Sequence, residues 1–96
     1  MTKIEKNRTD YTTRSGHIHY WLIRRWATKR LMAIAFGQKP PKIGTFLEMP
    51  NGGGMEEWFR AESLSLFTDD DGEKFDEMTY VGIDSGDIRK IYFKKG

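Results

Sequence analysis

Apolar and polar residues alternate along much of this chain, and a period of two predicts strands. In HIHYWLIRRW, residues 17–26, one face would carry His17, His19, Trp21, Ile23 and Arg25. The other would carry Ile18, Tyr20, Leu22, Arg24 and Trp26 and makes the better core face. A helix is the rival, because Ile18, Leu22 and Trp26 are spaced by four. The β-forming residues and the lack of an N-cap beyond Ser15 favour a strand. RLMAIAFG, closed by Gly37, adds a second apolar stretch, so residues 17–36 read as two antiparallel strands, with one helix across 20–36 as the alternative.

Pro40 and Pro41 continue neither element, and residues 38–42 form a connection. IGTFLEM alternates again and reads as a short strand, and PNGGG at 50–54 is a loop. MEEWFRAESL then places Met55, Trp58, Phe59 and Glu62 at helical spacing, with Glu56 and Glu57 in a first turn where the helix dipole favours acids. This predicts one helix near 55–63. The remainder alternates around two turn signals, DDDG and DSGD, and predicts a β-meander. Strands are expected near 17–25, 30–36, 43–48, 64–69, 75–83 and 88–94. The expected class is α+β, mainly antiparallel β-sheet with one short helix, in a single small domain spanning 1–96. Residues 1–14, with Lys3, Lys6, Arg8 and Arg14, are expected to be a flexible basic arm.

Composition narrows the picture. With 96 residues, 38% hydrophobic and 14% aromatic, the chain has enough apolar surface for one core and is too aromatic for a disordered segment. It has no cysteine, which removes disulfides, thiolate chemistry and cysteine-ligated metals. No apolar run approaches a secretory signal or a membrane span, so the expectation is a soluble cytoplasmic protein with no membrane partner. The net charge of +2 conceals an asymmetry. Residues 1–46 hold ten Lys or Arg against Glu5 and Asp10, whereas residues 47–96 hold six against twelve acidic residues. A basic face for an anionic partner is one reading, and mutual neutralisation of the two halves is the other.

Candidate chemistry is sparse. His17 and His19 share a strand face, but no further His or Cys completes a metal site. Aligning Gly72 with the sixth position of an EF-hand loop puts Phe67 and Met78 at the end positions, where ligands are required. NGGG is followed by Met-Glu-Glu and not by the Lys-Ser or Lys-Thr of a phosphate loop. No catalytic signature occurs, so no enzyme, cofactor or metal is expected.

The stronger signal is aromatic and basic together. His17, His19, Trp21, Arg24, Arg25, Lys29 and Arg30 would form a contact surface of rings interleaved with guanidinium groups. Protein hot spots are built from such residues. The leading expectation is therefore a non-enzymatic binding protein that inhibits or regulates a protein partner, a nucleic-acid-processing enzyme being one candidate. Single-stranded DNA or RNA stacking on the same rings is the alternative. A small hydrolase or ribonuclease using His17 and His19 is a second alternative. The small size also admits a homo-oligomer.

Overall fold

The computed structural model describes residues 9–12, 18–24 and 31–94. They form strands β1 (Thr9–Thr12), β2 (His19–Arg24), β3 (Leu31–Ala35), β4 (Phe46–Pro50), β5 (Glu56–Thr68), β6 (Lys74–Gly82) and β7 (Ile88–Lys94). All belong to one sheet in the order β1-β2-β3-β7-β6-β5-β4. Two antiparallel meanders, β1–β2–β3 and β4–β5–β6–β7, lie side by side. Their last strands join them in parallel, with Ala33, Ile34 and Ala35 opposite Ile91, Tyr92 and Phe93. The sheet is thus mixed. The connection over 36–45, stiffened by Pro40 and Pro41, carries the chain from the middle of the sheet to its far edge.

The α+β expectation is overturned, because no helix occurs among the described residues. The segment expected to be a helix near 55–63 lies in β5, the longest strand. Its burial alternates residue by residue: Glu57, Phe59 and Ala61 are buried, while Glu56, Trp58 and Arg60 are exposed. The spacing of Met55, Trp58, Phe59 and Glu62 fits a helix only by coincidence. Leu47 and Met49 on β4 stand opposite Phe59 and Glu57, and Tyr80 and Gly82 on β6 stand opposite Ala61 and Phe59. Neighbours on both sides supply ladder bonds and burial, and such context overrides local propensity. Within the arm expected over 1–14, Thr9–Thr12 form β1 and pair with His19–Leu22, and residues 1–8 and 13–14 lie outside the described residues.

The sheet curls around its own inner face. Ile18, just ahead of β2, packs in one cluster with Leu47 on β4, although four strands separate β2 from β4 in the sheet order. The same cluster contains Ala35, Phe59, Ala61, Met78, Tyr80, Ile91 and Phe93, with half-buried Tyr20 against it. A second, smaller cluster of Met32, Ile34, Phe75 and Tyr92 lies on the outer face. There Tyr92 lies tilted against Phe67 at 5.2 Å between ring centroids and meets Phe75 edge-on at 6.1 Å. Lys94 lies over Phe75 and pairs with Glu73. Each fully buried large side chain contributes roughly 1.5–3 kcal/mol of transfer free energy, so the inner cluster is the main source of stability. Tyr80 is its most enclosed polar residue. Burial pushes its hydroxyl well above the ordinary tyrosine range, and that hydroxyl has no hydrogen-bond partner among the described residues.

Candidate protein-binding surface

Two features stand out among the described residues, one polar and one apolar. The polar feature is at the end of the sheet where the β4–β5 and β6–β7 turns meet. Asn51 organises the triglycine turn: its Oδ1 accepts from Gly53 N at 2.9 Å and Met55 N at 3.1 Å. Its backbone N donates to Met55 O at 2.8 Å. The Asn51 amide also donates to Glu57 Oε1 at 2.7 Å, while Glu57 Oε2 accepts from the backbone N of Asp84 and of Ser85, both at 3.1 Å. Asp87 Oδ2 accepts from Gly52 N at 2.8 Å, which completes the tie between the two turns.

Burial alone would raise the Glu57 pKa. The hydrogen bonds from Asn51, from the side chain and backbone of Ser85 and from Asp84 outweigh it and hold the group at about 2. A carboxylate so saturated with donors is a poor base and a poor nucleophile. Its work is structural. Gly82 belongs to the same arrangement, because a Cβ there would collide with Glu57 Oε2 and sit 2.8 Å from Ser85 Oγ. No group of three or more His, Cys, Asp or Glu placed to hold a metal occurs among the described residues.

The apolar feature is on the outer face of the β4–β5 hairpin. Phe46, Trp58 and Ile83 line an open depression of about 370 Å³. Their exposures are 47%, 42% and 57%, so three large apolar side chains stand in solvent together. The backbone beneath them is fixed: Ile83 N donates to Trp58 O at 3.0 Å, and Phe46 stands opposite Arg60, two residues from Glu48 opposite Trp58. Acidic residues adjoin Trp58 and Ile83, with Glu48 opposite Trp58 in register, Glu56 two positions before it and Asp84 after Ile83. Arg60, opposite Phe46 in register, is bridged to Glu62 at 2.7 Å, and Lys39 lines a neighbouring cavity together with Phe46.

The residues expected from sequence to form the contact surface divide differently. His17, Arg25, Lys29 and Arg30 lie outside the described residues. His19, Trp21 and Arg24 are placed in β2, where His19 pairs with Thr12, Trp21 with Asp10 and Ile34, and Arg24 with Leu31. Their side chains lie outside the described part. Ile18 and Tyr20, expected to face inward, pack on the inner cluster.

Sequence reasoning missed the Phe46–Trp58–Ile83 patch because it placed Trp58 on a helix. The strand pattern alone carried little signal for it. On a strand, Trp58 shares its face with Glu56 and Arg60, and Phe46 shares its face with Glu48. Charges two positions away do not by themselves mark a solvent face, because Phe75, between Glu73 and Glu77, and Tyr92, between Lys90 and Lys94, are buried.

Comparison of the chain with protein-family models, curated proteins and solved structures gives no match. Among the described residues, no helix is long and apolar enough to cross a membrane.

Proposed function

We propose that this chain is a non-enzymatic binding module that seats a partner protein on Phe46, Trp58 and Ile83 and acts as an inhibitor or regulator of it. The observation that supports this reading is the grouping of three large exposed apolar side chains over a hydrogen-bonded sheet. Contiguous exposed apolar surface of this kind marks interaction sites, and tryptophan is enriched among residues that dominate binding energy. The acidic residues beside Trp58 and Ile83 select the partner: an apolar knob flanked by Lys or Arg fits, whereas a phosphate backbone is repelled.

The test is capture of the partner from native lysate on the immobilised chain, with and without nuclease, followed by titration of the captured protein. Trp58→Ala is expected to weaken that partner by 2 kcal/mol or more, about 30-fold, as for a central hot spot. Nuclease is expected to leave capture intact. Capture that survives Trp58→Ala but is lost in Trp21→Ala would move the contact to the basic and aromatic stretch. Capture abolished by nuclease, with affinity falling steeply in salt, would overturn the protein-partner reading in favour of nucleic acid.

A further inference from the structure

The second half of β5 has a neighbour on one side only. β4 covers Glu56–Arg60, and the last bonds on that side are Gly44 N to Ala61 O at 2.8 Å and Ala61 N to Thr45 O at 2.9 Å. Gly44, at φ 94°, then turns the chain away, helped by the Thr45 hydroxyl donating to Lys42 O at 2.7 Å. On the other side β6 continues to pair as far as Thr68. Asp69 N donates to Glu73 O, so in an antiparallel ladder Ser63, Ser65 and Phe67 exchange bonds with β6. Glu62, Leu64, Leu66 and Thr68 therefore aim their N–H and C=O groups at the open side, where no described strand meets them.

This edge is exposed, with Leu64 at 45% and Leu66 at 62%. It carries neither Lys nor Pro, the residues that ordinarily discourage strand addition. We propose that a second copy of this chain pairs with it, antiparallel, about a two-fold axis passing at Ser65. Three properties of the segment single out a second copy as the occupant. The outward-facing residues are all even-numbered, so pairing 64 with 66 and 62 with 68 brings donors opposite acceptors on both strands. Leu64 and Leu66 then meet Leu66 and Leu64 of the second copy, and four leucines that are exposed in the monomer cover one another. Beyond Thr68 the acidic turn of each copy, with exposed Asp70 and Asp71, arrives where the other carries Lys42 and Arg60. The result is one continuous sheet through both copies, closed by its own symmetry.

The absence of cysteine makes the axis directly testable. Across a non-hydrogen-bonded pair the two Cα atoms stand about 4.5 Å apart, within disulfide range. Ser65→Cys is therefore expected to form a covalent dimer in oxidised glutathione. In Ser63→Cys the two thiols lie roughly 14 Å apart along the strand, and cross-linking is expected to be at least about tenfold slower. Sedimentation supplies the second measurement. Leu64→Lys with Leu66→Lys sets Lys against Lys twice and is expected to give a monomer with an unchanged far-ultraviolet spectrum. Leu64→Lys with Leu66→Glu sets Lys against Glu and is expected to restore the dimer. A wild-type chain that stays monomeric at 100-fold dilution steps up to its solubility limit would overturn the proposal, as would equal cross-linking of the two cysteine variants. So would a dimer indifferent to the lysine pair, or a Lys/Glu variant as monomeric as the Lys/Lys one.

Discussion

The two halves of β5 have the same alternating pattern and opposite fates. In residues 56–61 the inward positions Glu57, Phe59 and Ala61 are buried, flanked by β4 and β6 and closed over by the curl of the sheet. In residues 62–68 the equivalent positions Leu64 and Leu66 are exposed, with β6 alone beside them. The register shift between Ala61 and Ser63 separates the halves. Alternation thus says which residues share a face, but burial of that face depends on what lies across from it, often from a distant part of the chain.

The sharpest way to break the comparison is to truncate one side chain in each half. Phe59→Ala, at 0% exposure, is expected to cost 3–5 kcal/mol, read as a lower urea midpoint with an unchanged slope. Gly82→Ala comes next, because its Cβ would press on the Glu57 carboxylate held by Asn51, Asp84 and Ser85. About 1–3 kcal/mol is expected, measured the same way.

Glu57→Gln sharpens the contrast through pH. The folded value of about 2 lies below the ordinary 4.5, so the stability this carboxylate confers is present above pH 4.5 and is lost as pH falls toward 2. The wild type is expected to be the more stable at neutral pH, and the gap between the two proteins should close across that window. A gap that stays constant down to pH 2 would remove Glu57 from the lock. The smallest effect is expected for Leu64→Ala, within about 0.5 kcal/mol when measured at concentrations where the chain is monomeric. A cost approaching that of Phe59→Ala would show that the two halves are equivalent after all.

Much of the sheet was legible because its signals are local. The alternation around Tyr92, the Asp71-Gly72 turn with Gly72 at φ 80° and the DSGD turn with Gly86 at φ 75° each act over a few residues. What stayed hidden depends on residues far apart. The β3–β7 parallel seam joins Ala33 to Ile91, and no short-range pattern encodes that choice. The Glu57 lock draws on Asn51, Asp84 and Ser85, so the glutamate could be read equally well as a helix-terminus acid. The triglycine loop looked free for the same reason; its order comes from Asn51 and from Asp87, 35 positions away. Phe46, Trp58 and Ile83 could be grouped only once β4, β5 and the β6–β7 turn were neighbours.

The three-residue parallel seam has a consequence for how the chain is born. β3 leaves the ribosome ahead of β4, β5 and β6, yet the strand it must lie against, β7, follows all three. Until β7 has emerged, the leading meander has its docking edge, and the apolar residues Met32 and Ile34 on it, uncovered. The trailing meander needs only sequence neighbours and can assemble first, so it serves as the template on which the older part of the molecule settles.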